Sequence, residues 1–277
     1  MLLNCAGKPL DLSRPAVMGV LNLTPDSFSG DGLAGSVDAA CARALALQAS
    51  GAAVIDIGGE STRPGAARVS VPEELGRVLP VIERLAGQLT VPISIDTRHA
   101  EVMRAAVGAG AGLINDVAAL REPGALAAAA ALGVPVILMH MQGEPGSMQQ
   151  APHYGDVVAE VAAFLAGRVA ACERAGMARE RLLLDPGFGF GKTAEHNLAL
   201  LRGLPVLARQ GLPVVAGLSR KSLIGAITGA PVTQRLGGSV ALALLAAERG
   251  AHLLRVHDVE ATVQALAMLA AVQGVDE

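Results

Sequence analysis

The sequence predicts an α/β protein: a single (β/α)8 TIM barrel over residues 1–277, with a short N-terminal capping segment. Three observations carry that expectation. Eight short apolar runs alternate with longer Ala-rich stretches, and no Ser-, Pro- or charge-rich linker interrupts the 277 residues. Strands alternating with helices imply a parallel sheet with right-handed crossovers, and eight such units in this length suit a closed barrel. Finally, every apolar run leads into a polar or charged residue, as barrel active sites require at their C-terminal face.

The runs are VMGVL from Val17, AAVIDI from Ala52, VPISI from Val91, GLI from Gly112, VPVILM from Val134, RLLL from Arg181, LPVVAG from Leu212 and AHLLRV from Ala251. Each is too short for a helix. Several are β-branched and bounded by Gly or Pro, the pattern of buried parallel strands. Helices are expected from Ser36, with Asp38 in its first turn, and from Val71-Pro72-Glu73-Glu74, where Pro sits at the helix start. The stretch Tyr154–Arg174 is the longest, the Ala-rich 124–132 segment is another, and Asp258–Leu269 closes the chain. Met1–Asp11 precedes the first strand and is expected to cap the barrel bottom.

Composition narrows the function. Hydrophobic residues make up 52% and charged ones 17%, enough to bury a large core. A net charge of −3 with scattered basic residues, 2% aromatics and no Trp argues against a nucleic-acid surface. The longest uncharged apolar run, Gly124–Met139, is broken by Gly133 and Pro135 and falls short of the about 20 residues a membrane span needs. Cys5, Cys41 and Cys172 form no CxxC and read as reduced thiols. No membrane association is expected, and the cytoplasm is the expected compartment.

The strand ends are Asn22, Asp56, Asp96, Asn115, His140, Asp185, Ser219-Arg220-Lys221 and Arg255-Val256-His257. A single Asp or Asn after a strand is more often a helix cap. A full set of eight polar ends is better explained by a converging site. Familiar patterns fail nearby. A P-loop ending at Gly191-Lys192-Thr193 would need Gly at 186 and finds Pro; a GxGxxG from Gly187 would need Gly where Lys192 stands. Gly217-Leu218-Ser219-Arg220-Lys221 lacks the second Gly of a nucleophile elbow, and the six histidines form no HExxH.

Longer motifs remain: MGVLNLTPDSFSGDG from Met18, DIGGESTRPGA from Asp56, SIDT from Ser94, IND from Ile114, MHMQG from Met139, LDPGFGFGKTAEHNLALL from Leu184, GLSRKSLIG from Gly217 and RVHD from Arg255. In this order they resemble the dihydropteroate synthases over nearly the whole chain. The resemblance implies a homodimeric barrel that joins 6-hydroxymethyl-7,8-dihydropterin pyrophosphate to p-aminobenzoate, releasing pyrophosphate. It also implies Mg²⁺, and sulfonamide competition at the aminobenzoate site. Two departures stand out. The first loop carries Gly30-Asp31 where the family usually has Asp-Gly, making Asp31 the substitute acid, and Gly146 replaces a basic residue.

By this resemblance Asp96, Asn115, Met139, Asp185, Lys221 and Arg255 form the pterin pocket. Asp185 is the first choice for the ring's donor edge, which a buried carboxylate matches in a bidentate way. Phe28, Thr62, Arg63, Pro64, Gly189, Phe190, Lys221 and Ser222 line the aminobenzoate site. Asn22, Arg63, Arg255 and His257 meet the diphosphate. Asn22 offers a neutral oxygen to a Mg²⁺ carried mainly by the diphosphate. Lys221, Arg255, His257, Arg63 and Asp31 are the expected catalytic set for a dissociative displacement. The loops bearing Phe28 and Arg63 are expected to order over the bound diphosphate. Two other readings are a pterin-dependent methyltransferase-like barrel, which needs no diphosphate set, and a non-catalytic pterin-binding paralogue.

Overall fold

The computed structural model describes residues 1–24, 36–61, 68–144 and 146–274. The chain opens with a hairpin of β1 (Leu2–Cys5) and β2 (Lys8–Asp11), paired antiparallel with Cys5 opposite Lys8. Its two-residue turn, Ala6-Gly7, has positive φ at both positions (52° and 89°), the primed geometry that suits strand twist. The capping segment predicted from sequence is this hairpin. Its alternate residues Leu3, Cys5 and Leu10 are buried together with Leu12 against the first interior layer of the barrel.

Eight further strands follow: β3 (Ala16–Asn22), β4 (Val54–Gly58), β5 (Ile93–Asp96), β6 (Leu113–Asp116), β7 (Val136–Met139), β8 (Leu182–Asp185), β9 (Val215–Ala216) and β10 (Leu253–Val256). They pair in parallel in the order β8-β7-β6-β5-β4-β3-β10-β9. A parallel bridge between Leu184 and Val214 closes the ring. The barrel is thus wound in chain order, as eight successive strand–helix units demand.

Around it lie α1 (Val37–Ala49), α2 (Val71–Ala86), α3 (Ala100–Gly108), α4 (Ala125–Leu132), α5 (Val157–Arg174), α6 (Ala194–Arg202), α7 (Leu204–Ala208), α8 (Ser222–Thr228), α9 (Leu236–Glu248) and α10 (Val259–Gln273). Their starts follow capping chemistry. Ser36 and Ser70 accept the backbone N–H of Ala39 and Glu73, three residues on. The longest helix begins at Val157 rather than Tyr154, because Asp156 caps it through Val158 and Ala159. The last helix outruns the expected Leu269 to Gln273 and stops at Gly274 in the left-handed region. Lys8 ties the hairpin to the helices, donating to the carbonyls of Ala86 at 3.0 Å and Leu89 at 2.7 Å.

Two layers of interior side chains place the site. Met18, Val54, Leu113, Ile137, Leu183, Val215 and Leu253 form one apolar cluster with the hairpin. Side chains on a strand repeat every two residues. The next inward positions on six of these strands are therefore Asp56, Asn115, Met139, Asp185, Gly217 and Arg255. The sequence changes from grease to charge in one step up the barrel.

Candidate active site

Asp96, Asn115, Met139, Asp185, Phe190, Lys221 and Arg255 line one cleft at the C-terminal end of the strands, with Val117, Gly187, Phe188 and Gly217. Six different strand ends contribute, so the predicted pterin residues converge as expected from the sequence.

Arg255 is the hub. Its Nε donates to Oδ2 of Asp56 at 2.6 Å and its Nη2 to Oδ2 of Asp96 at 2.8 Å. Asn115 donates to the same Asp56 oxygen at 3.2 Å. Burial works against the guanidinium's charge, but Asp56 and Asp96 outweigh it and raise its pKa above the ordinary value. Burial pushes Asp96 up to about 8 despite Arg255, with Asp56 adding like-charge repulsion. The site therefore holds more carboxyls than one guanidinium can keep ionised.

Asp185 ends β8, and its Oδ1 accepts the N–H of Gly187 at 2.7 Å. Burial raises its pKa, opposed by that hydrogen bond and by Lys221, Arg255 and Lys192. Among the described residues its second oxygen has no protein hydrogen bond. Lys221 donates to the Phe188 carbonyl at 2.5 Å and lies 4.2 Å from the Phe190 ring centroid. Burial lowers it to about 8 against the pull of Asp185. Met139 belongs to a small apolar cluster with Val117, Met141 and Met148, against which Phe190 packs.

The remaining predicted residues are placed as follows. Gly189 passes so close to Lys221 that a Cβ there would sit 2.9 Å from its Cδ. Ser222 is exposed at the first position of α8. Asn22 ends β3 opposite Gly58, which in turn pairs with Asp96. Ser219 holds His257, its Oγ accepting the His257 backbone N–H at 3.2 Å and lying 3.1 Å from Nδ1. Phe28, Asp31, Thr62, Arg63 and Pro64 lie outside the described residues. No group of three His, Cys, Asp or Glu among the described residues could hold a metal ion.

Two residues of the site went unassigned from sequence. Asp56 was read as a strand end but given no role, although its place two residues above Val54 aims it into the barrel. Lys192 sits among glycines and phenylalanines, with no local signal that it is buried. A separate cavity of about 260 Å³, bordered by Glu60, Ser61, Arg68, Arg98, Glu144, Gly146 and Ser147, has its charges engaged with each other. Arg98 pairs with Glu60 at 2.8 Å and Arg68 with Glu144 at 2.9 Å.

Residues 18–257 match the family model described as "Pterin binding enzyme". The chain is 53% identical over 271 residues to the dihydropteroate synthase of Escherichia coli strain K12, covering 98% of this chain and 96% of that one. Among solved structures it resembles the Xanthomonas albilineans dihydropteroate synthase with 4-aminobenzoic acid at a TM-score of 0.94. That likeness carries 60% identity and covers 99% of both chains. The same bacterium's enzyme in complex with 7,8-dihydropteroate matches at a TM-score of 0.91 and 57% identity, covering 100% of both chains.

Proposed function

The chain belongs to the dihydropteroate synthase family of pterin-binding enzymes, transferases that join a dihydropterin pyrophosphate to p-aminobenzoate, and from that premise we propose how its own residues divide the reaction. The observation that carries the reading is the ring of Asp56, Asp96, Asn115, Asp185, Lys221 and Arg255 directly above an apolar barrel floor.

The pterin lies in this cleft. Asp185 accepts from the guanidine-like edge while its other oxygen stays on Gly187, and Asn115 and Asp96 meet the neighbouring edge atoms. Lys221 donates to the ring's acceptor side. Met139 packs against the ring face. Arg255, held by Asp56 and Asp96, keeps its planar fork at the ring and the diphosphate, a task a lysine would do less well.

The displacement is dissociative. Arg255, His257, Asn22 and Arg63 stabilise the departing pyrophosphate, leaving a pterin methylene cation conjugated with the ring. The arylamine, positioned by Phe190, Gly189, Lys221, Ser222 and the loop residues Phe28, Thr62 and Pro64, attacks that carbon through its nitrogen lone pair, and the proton it then sheds passes to the released pyrophosphate or to water. Asp31 takes the acidic role on the first loop. Each well-placed donor lowers the barrier by roughly 3 kcal/mol.

Asn22, whose amide oxygen lies beside Gly58, is the residue that would hold Mg²⁺, a hard cation that takes neutral oxygen ligands. Bound mainly through the diphosphate, such an ion would keep most of its waters and would neutralise the leaving group's charge.

A second copy of the chain is the partner best suited to the apolar residues left exposed on neighbouring elements. These are Ile227 of α8, Val232, Leu236 and Leu245 of α9, and Met268 and Val272 of α10. Sedimentation velocity should show a dimer that Leu236→Glu converts to monomer. The three cysteines are free and buried, which suits a reducing cytoplasm. No helix among the described residues is long and apolar enough to cross a membrane.

The deciding assay is pyrophosphate release from the dihydropterin pyrophosphate with and without p-aminobenzoate. Release that depends on the arylamine and on Mg²⁺ supports this division of roles. Pterin binding without release would indicate a non-catalytic paralogue.

A further inference from the structure

Lys192 has no part in the roles above, yet it is only 3% exposed. Its Nζ donates to the carbonyls of Gly187 at 2.9 Å and Phe190 at 3.0 Å, and lies 3.0 Å from Nδ1 of His140. Burial lowers Lys192 to about 7 against the pull of Asp185, and both the ammonium and the neutral amine carry protons enough for the two carbonyls. Burial, reinforced by the charge of Lys192, drives His140 down to about 3. The imidazole is therefore neutral.

Both carbonyls belong to one turn, closed by the Phe190 N–H on the Gly187 carbonyl at 3.1 Å. Gly187 and Gly189 adopt φ of 67° and 81° there. Glycines at such angles leave the unfolded chain many alternatives. Asp185 and Asn197 accept the N–H groups of Gly187 and Gly189, each at 2.7 Å, and Lys192 restrains the turn's carbonyls. The turn in turn holds the cleft's own cation: the Phe188 carbonyl accepts from Lys221, and the Phe190 ring faces the same ammonium.

We propose that Lys192 is the positioning residue of the aminobenzoate subsite. With His140 as partner, its amino group fixes the Gly187–Phe190 turn and so the seats of the Phe190 ring and of Lys221. The inference rests on the assignment of Phe190 and Lys221 to that subsite. Arginine would not substitute, since a planar fork does not meet partners arranged around one nitrogen.

The test is steady-state kinetics on the full chain, with 6-hydroxymethylpterin binding followed by calorimetry. Lys192→Met should raise the KM for p-aminobenzoate by roughly tenfold, while pterin affinity, which shares Lys221, falls by no more than about threefold and kcat stays within about threefold, a split weighted toward the arylamine. Lys192→Arg should not restore the KM. His140→Leu, which keeps the lysine but removes one partner, should raise the same KM by about threefold. An unchanged KM in Lys192→Met beside a raised KM in Phe190→Ala overturns the proposal alone. An unchanged KM in Phe190→Ala overturns the subsite assignment and the proposal with it. Should Lys192→Met fail to fold, an unchanged KM in His140→Leu is equally decisive against it.

Discussion

Nη2 of Arg255 donates to Oδ2 of Asp96 across 2.8 Å, joining the last strand of the barrel to the third of its eight. The same guanidinium also binds Asp56, which is fully buried and whose Oδ1 has no hydrogen-bond partner among the described residues. Removing the cation would strand two carboxyls in a low-dielectric site, a loss that typically costs more than the pair contributes. Arg255→Met should therefore lower stability by about 3 kcal/mol at neutral pH. Urea unfolding measures it, and Asp96→Asn in that background should recover part of the loss. A change below about 1 kcal/mol would mean that water reaches both carboxyls.

Asp96 gives stability a pH dependence of predictable sign. Its folded-state pKa is about 8, against an ordinary value of 3.8, because burial disfavours the carboxylate. Between these values the native state binds more protons than the unfolded chain, so stability falls as pH rises from about 4 to about 8. Asp116, raised to about 6 by burial, and Asp185, also raised, act in the same direction. Asp96→Asn should flatten the slope of unfolding free energy between about pH 5 and 8, leaving the fall due to Asp116 and Asp185 against the opposing rise from His140, whose pKa burial lowers to about 3. An unaltered slope would show that Arg255 keeps Asp96 ionised throughout.

At Asp185 the prediction concerns affinity rather than fold. An asparagine can still accept from Gly187, but its amide then turns a donor toward the donor edge of the ring. Pterin binding should weaken by about 2–4 kcal/mol, with the melting temperature little changed. Calorimetry with 6-hydroxymethylpterin decides it. Normal affinity in Asp185→Asn would pass the edge contact to Asp96.

The metal should depend on the diphosphate. Turnover should require Mg²⁺, and Asn22→Ala should weaken binding of Mg²⁺ with pyrophosphate while leaving pterin binding intact. Tight Mg²⁺ binding to the free protein, insensitive to that substitution, would contradict a substrate-borne ion.

Gly187 and Gly146 form a contrasting pair. A Cβ on Gly187 would lie 1.9 Å from the His140 carbonyl oxygen, at a φ of 67° that L-residues rarely adopt. Around Gly146 a Cβ would meet nothing within 4 Å. Gly187→Ala should lose about 3 kcal/mol or more, whereas Gly146→Ala should change stability by less than about 0.5 kcal/mol. Thermal unfolding of the two variants distinguishes them.

The barrel was legible because each strand is short, apolar and bounded by Gly or Pro, and because polar residues recur where strands end. The pterin pocket was legible for the same reason: Asp96 and Asp185 close their strands, Asn115 is next to last on its own, and all three line the cleft. Asp56 shows the limit. The strand expected to end there runs on to Gly58, leaving Asp56 mid-strand and one layer below Asp96; its partner is Arg255, 199 residues away, and no local pattern announces that pairing. Lys192 is less legible still, since its partners are two main-chain carbonyls and a histidine whose proximity arises only when β7 and β8 pair. Tyr154 shows how capping overrides composition: it precedes the longest helix instead of opening it, and its hydroxyl donates to the Gly191 carbonyl at 2.9 Å.

The parallel pairing of β10 with β3 also sets an order of events during synthesis. Leu253–Val256 lie beside Ala16–Gly19, so the ring has no partner for one of its first edges until nearly the whole chain has emerged from the ribosome. Non-local pairings of this kind close large loops and form late. Until they form, the carboxyls of Asp56 and Asp96 lack the cation that later sits between them, and an open strand edge is available for mispairing. Nascent chains halted before residue 253 should accordingly bind pterin not at all and depend on chaperones for solubility, and competence in both should arrive together with the final strand.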